Sequence, residues 1–185
     1  MEFKKLIFIL VITISIIVIS LMGVSYAWYS LSNSSTSFNT TTANTDLTIL
    51  YAQSEYVNVV TGVPITEEDA SSKAGISRFT VTPGNNLNGY TVYMSIELSQ
   101  ITIDDELKTE DFKIQLLENG VSIYNGTGKD ITGTTLSMKQ LAKVNIGTTY
   151  NYELRIWLNE TGVSQNELMG KNFSGKIKIS SSIKK

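Results

Sequence analysis

Asp104, Asp105 and Glu106, followed closely by Glu110 and Asp111, form the densest group of carboxylates in the sequence. Carboxylate oxygens gathered in this way are hard ligands of the kind that hold calcium. Their spacing lacks the alternating D-x-D-x-D/N-G order of a known calcium loop. A solvated turn with Lys108 as its local counter-charge accounts for the same residues, so Asp104, Asp105 and Glu106 stand as weak metal candidates only. The run Glu67, Glu68, Asp69 needs no explanation beyond exposure to water.

Catalytic chemistry finds little to work with. The chain has no His and no Cys, which removes the usual general base near neutral pH, the commonest zinc ligand, any thiolate nucleophile and any disulfide. Serines are abundant, yet there is no G-x-S-x-G elbow. The pairs Ser137 with Lys139 and Ser72 with Lys73 are spaced wrongly to share a helical face. No enzymatic activity and no cofactor are expected. Trp157 is the remaining residue of interest, because alternation sets it beside Glu153 and Arg155 rather than with the apolar positions. It either presents a ring to a sugar or a protein partner, or plugs a second apolar face beneath the segment Asn159 to Phe173, the reading preferred here.

The elements that would carry these residues are strands. In "TVYMSIEL" Val92, Met94, Ile96 and Leu98 share one face, and in "YELRIWLN" Tyr152, Leu154, Ile156 and Leu158 do the same. Shorter strands are expected at Leu47 to Tyr51, Tyr56 to Val60, Arg78 to Thr82, Phe112 to Leu117, Val121 to Tyr124, Lys143 to Ile146 and Lys176 to Ser180, about nine in all. Pro83-Gly84 and Asn88-Gly89 mark turns, and Asn119-Gly120 reads as a two-residue hairpin. Helix signals are few: "SMKQLAK" (Ser137 to Lys143), with Ser137 as N-cap, and a turn within Thr66 to Gly75, closed by Gly75. Neither covers a sheet, so the sheets must bury each other. An antiparallel β-sandwich over residues 46–185 is expected, and no internal repeat is present.

Ahead of it, Met1 to Lys5 carries two lysines and Leu6 to Met22 is a 17-residue apolar run whose polar members are Thr13, Ser15 and Ser20. That length lies between an export h-region of about 7–15 residues and a spanning helix of about 20. Ser25-Tyr26-Ala27 offers small residues at −3 and −1 of a cut between Ala27 and Trp28 by a signal peptidase. Tyr26, Trp28 and Tyr29 equally suit the aromatic belt of a retained membrane anchor. Both readings place residues 6–22 in a membrane, at least transiently, and send the rest outward. The formal charge of −2 becomes −3 when Lys4, Lys5 and Glu2 leave with residues 1–27, so nothing draws nucleic acid.

The string Gly23-Val24-Ser25-Tyr26-Ala27-Trp28-Tyr29-Ser30 resembles the G-x-[ST]-aromatic-A-aromatic-aromatic-[ST] junction of the TasA/camelysin (CalY) family, and Ser37 to Ile49 weakly resembles that family's first mature strand. The resemblance covers about 30 residues. It implies processing by a signal peptidase of the SipW type, a jelly-roll-like sandwich, and an extracellular place, secreted or on the outer membrane face of a Gram-positive-type bacterium. The metalloendopeptidase activity described for camelysin-type proteins is not carried over, because a chain without His or Cys offers zinc only carboxylates.

Two functions follow. In one, the chain is a surface structural or interaction protein, by resemblance a matrix or fibre subunit. The Ser/Thr/Asn-rich stretch 28–45 then pairs with a sheet edge of a neighbour, and Trp28, Leu31 and Phe38 seek pockets there. In the other, it is a membrane-anchored extracellular domain that binds a glycan or a protein.

Overall fold

The computed structural model describes residues 47–52, 54–84 and 91–184. The apolar run 6–22, the junction Ala27-Trp28, the stretch 28–45 with Leu31 and Phe38, and the Asn88-Gly89 turn lie outside the described residues. Within them no helix is long and apolar enough to cross a membrane.

Alternation of apolar and polar side chains produces nine strands here: β1 (Leu47–Tyr51), β2 (Tyr56–Val60), β3 (Gly75–Pro83), β4 (Thr91–Ile103), β5 (Phe112–Glu118), β6 (Val121–Thr127), β7 (Leu136–Val144), β8 (Tyr150–Leu158) and β9 (Asn172–Lys184). One short helix, α1 (Ala70–Lys73), lies between β2 and β3. The strands form two sheets, with orders β1-β3-β8-β5-β6 and β2-β9-β4-β7. Among the described residues every strand pairing is antiparallel, and a single parallel bridge joins Ile65 to Asn159.

The inward faces meet in one core. Ile49, Phe79, Leu154, Ile156 and Leu116 come from the first sheet, and Val92, Met94, Ile96, Leu98 and Ile177 from the second. The four β4 residues assigned to one face by period two are all fully buried. Strands such as β1 and β4 alternate buried and wetter positions, so two such sheets facing each other bury their apolar rows where neither could alone.

Local turn chemistry behaves as its residues demand. Asn119 and Gly120, between β5 and β6, have φ of 49° and 83°. Two successive positive φ values are what a two-residue hairpin with right-twisted strands requires.

Three expectations are corrected. Ser137 to Lys143 is not helical but the body of β7, paired with β4 from Val92↔Val144 to Leu98↔Leu136. A helix there would leave that side of β4 without a ladder, and pairing along a long strand outweighs a modest local propensity. The helical look of the sequence comes from a bulge. Leu141 has φ 36°, its N–H donates to Ser95 Oγ at 2.9 Å, and the register slips between Met94 and Glu97. The expected strand Lys143 to Ile146 is accordingly only the end of β7. The helical turn within Thr66 to Gly75 does form as α1, but Ala74 in extended conformation closes it and Gly75 already begins β3.

Candidate functional site

The acidic residues do not converge. Asp105–Leu107 form a 3-10 turn after β4, anchored by the fully buried Leu107. Asp104 Oδ2 accepts from the Asn172 backbone N–H at 2.8 Å and from its side-chain amide at 3.3 Å. Asp105 pairs with Lys108 at 2.7 Å, Glu106 with Lys171, and Glu110 with Lys129 at 2.7 Å. Asp111 accepts from Gln165 Nε2 at 3.1 Å. Four of the five carboxylates thus tie the turn to three other segments, at Lys171 and Asn172, at Lys129 and at Gln165, while Asp105 pairs within the turn. The hydrogen bond from its lysine holds each of Asp105, Glu106 and Glu110 below the ordinary carboxylate range. Among the described residues no three acidic side chains are gathered around a common centre.

Trp157 is 3 % exposed and lies outside the central core, on the outer face of the first sheet. Its burial agrees with the plug reading. The segment between β2 and β3 crosses this face: Ile65 bridges to Asn159, and α1 packs on β8 through the buried Ala70. A cavity of about 130 Å³ remains between Trp157, Glu67, Lys113, Asn125 and Thr127. The segment 159–173 sends Leu168 into the central core. It does so because Gln165 pins its start, bonding the Asn159 carbonyl and Asp111.

The other half of this outer face is open and forms a groove of about 530 Å³. Its floor contains Leu50, Ala52, Thr80, Leu117 and Asn151. Leu117 is buried although it lies outside the central core. Three charges stand in the groove. Arg78 is the direct cross-strand partner of Glu153, and Arg155 follows two residues on along β8, on the same face. Glu153 Oε2 accepts from Arg78 Nε at 2.7 Å and Oε1 from Arg155 Nε at 2.6 Å. Partial burial works to raise the Glu153 carboxyl, but the hydrogen bonds and charges of Arg155 and Arg78 together overcome it and hold it below its usual range. Sequence reasoning set Glu153 and Arg155 beside each other and missed Arg78, 75 residues away from Glu153. The available signal was compositional: the chain has 13 lysines and only two arginines, and both are here.

Inside the sandwich, Lys139 of β7 reaches across to Glu118 of β5 and donates to Tyr152 Oη at 3.0 Å. Tyr152 in turn donates to Glu118 at 2.6 Å. The lysine lies 5.7 Å and 5.3 Å from the ring centroids of Tyr150 and Tyr152. This network joins the two sheets through charge and is satisfied within itself.

Burial, then the hydrogen bond to and charge of Glu118, push the Tyr152 phenol far above its usual value. Tyr51 is pushed up to about 12 by burial and by Glu55. A phenol with a raised folded value contributes stability that is complete below about pH 10, the unfolded value, and is lost as pH rises through the folded one. Tyr51 alone accounts for a loss on the order of 3 kcal/mol between about pH 10 and 12. Urea unfolding midpoints are therefore expected to fall steeply in that window; a flat profile there contradicts the burial of these phenols.

Four strands lie at sheet edges: β1 and β6 in the first sheet, β2 and β7 in the second. Each carries apolar side chains facing solvent, with Tyr56 50 % and Val60 60 % exposed on β2, Val121 67 % exposed on β6 and Leu141 64 % exposed on β7. No described strand pairs with their outer sides. The residues expected to make strand-addition contacts, Trp28, Leu31 and Phe38, are not among those described.

No protein-family model matches the chain, and no curated protein is found similar to it.

Proposed function

We propose that this chain is an exported surface protein that acts by holding partners rather than transforming them, and that it assembles with further copies of itself by strand addition. The observation that carries the reading is the pair of short edge strands β1 and β2. They are consecutive in sequence, and each ends a different sheet. The Ser/Thr/Asn-rich stretch 28–45 leads directly into β1. A stretch too polar to pack by itself, spiked with Trp28, Leu31 and Phe38, suits the free side of a neighbour's edge: main-chain bonds give affinity and the apolar side chains give register. Head-to-tail contacts that do not close on themselves extend into fibres.

The winding supports the same reading. In a jelly roll, eight strands are split between two four-stranded sheets, and β2 to β9 divide as β2-β9-β4-β7 and β3-β8-β5-β6, with β1 added beside β3. The apolar run 6–22 and the junction Gly23 to Ser30, which resembles that of the TasA/camelysin family, supply the export step. With neither His nor Cys in the chain, the reading is non-enzymatic.

Deletion of residues 28–42 tests it. The expected result is loss of fibres in electron micrographs with the circular dichroism of the sandwich preserved; fibres of unchanged number and length overturn the reading. The mass of the exported protein's amino terminus is expected to place Trp28 first.

A further inference from the structure

We propose that the open groove on the outer face of the first sheet binds an acidic sugar through one ring carboxylate, held by Arg78 and Arg155. This inference does not depend on strand addition, which uses the sheet edges.

The arginines are the first reason. Among the described residues nine ion pairs form, and lysine makes seven of them. The two made by arginine share one acceptor, Glu153. A cross-strand ion pair on a wet sheet face needs only a lysine, as Lys178 and Glu97 demonstrate on β9 and β4. A guanidinium differs from an ammonium in presenting a planar fork that matches a carboxylate with two parallel bonds. Both arginines spend Nε on Glu153, and no other described residue accepts from either guanidinium. Glu153 acts as a positioning residue: its two oxygens hold the forks side by side and leave their Nη edges for a second anion.

Charge selects the size of that anion. Arg78, Glu153 and Arg155 are the charged residues of the groove, and together they carry one net positive charge. One carboxylate neutralises them, whereas a dianion leaves an unpaired charge in a half-buried cleft. Glu153, held below its usual range, keeps this balance in mildly acidic solution.

The surroundings select the carrier. The groove lies over the interior of a sheet, where the main-chain groups of β3, β8 and β5 are spent on their ladders. An extended peptide gains no main-chain bonds there. A sugar ring is recognised by side chains alone: its C–H face suits Leu50 and Leu117, and its hydroxyls suit Thr80 and Asn151, all lining the groove. The volume of about 530 Å³ falls within the roughly 300–1,000 Å³ of small-ligand clefts.

Because the chain has two arginines, its arginine Nε–H spectrum holds two signals. The full chain, labelled with ¹⁵N-arginine in detergent micelles, is titrated with sodium glucuronate, and in parallel with glucose, sodium acetate and a tetraglutamate peptide. Both signals are expected to shift saturably with glucuronate, to ignore glucose and to respond more weakly to acetate and to the peptide. Losing a charge-assisted fork weakens binding about tenfold per arginine, so R78K/R155K, which keeps the charge, is expected to bind glucuronate about a hundredfold more weakly by calorimetry. Unmoved signals, an equal response to glucose or acetate, tighter binding of the peptide, or a double variant that binds like the parent each overturn the assignment. Should that variant fail to fold, the two signals of the parent decide alone.

Discussion

Phe79→Ala is expected to lower the unfolding free energy by about 3–5 kcal/mol, the range for removing a fully buried phenylalanine. Phe79 is 2 % exposed, in the middle of β3. It stands opposite Tyr51 of β1 and Tyr152 of β8 in register. Its ring stacks on Tyr152 at 5.1 Å with 18° between planes, and meets Tyr51 at 5.9 Å. Truncation opens a void under both tyrosines and loosens the stack that sets Tyr152 against Glu118 and Lys139. Urea titration reads the loss directly, and the melting temperature is expected to drop by roughly 10 °C. Phe79→Leu, which refills most of the space, should recover more than half of the deficit. A loss below about 1 kcal/mol for the alanine variant contradicts the packing described.

Gly128→Ala is expected to be comparably damaging for the opposite reason, too much matter rather than too little. A Cβ on Gly128 would lie 1.8 Å from the Leu107 carbonyl oxygen, 2.9 Å from its carbon and 3.1 Å from the Thr109 nitrogen. All three are main-chain atoms, so no rotamer change relieves the clash. The turn Gly128–Asp130 is held by Asp130 Oδ2, which accepts from the Thr127 N–H at 2.7 Å and from its hydroxyl at 3.2 Å. Leu107, on the other side, is fully buried. Either the turn or Leu107 must leave its place, and overpacking of this severity reaches about 3 kcal/mol. Gly133→Ala, whose added carbon meets nothing within 4 Å, serves as control and is expected to stay within about 0.5 kcal/mol of the parent. Equal stability of the two variants rules out the close approach of these turns.

The two glycines read alike in the sequence, and that contrast shows where sequence reasoning ends. Strands were legible because a half-buried strand must alternate, and the apolar rows of β4 and β8 announce themselves within a few residues. The Asn119-Gly120 hairpin was legible because few residues tolerate two consecutive positive φ values. A sandwich followed from the lack of any long helix to cover the sheets. These are local constraints, written in neighbouring residues.

What only the tertiary structure decided concerns partners. β7 is a strand because β4 has a free side for it to fill, although its own residues suit a helix. The acidic residues from Asp104 to Asp111 are adjacent in the chain yet part company, because all but Asp105 find a cation or amide on another segment. Trp157 is buried on the outer face of its sheet, where alternation alone had set it beside charged residues. Arg78 joins Glu153 and Arg155 through the β3–β8 register alone. Alternation determines which way a side chain points, but pairing between distant strands determines what it meets, and no local pattern encodes that choice.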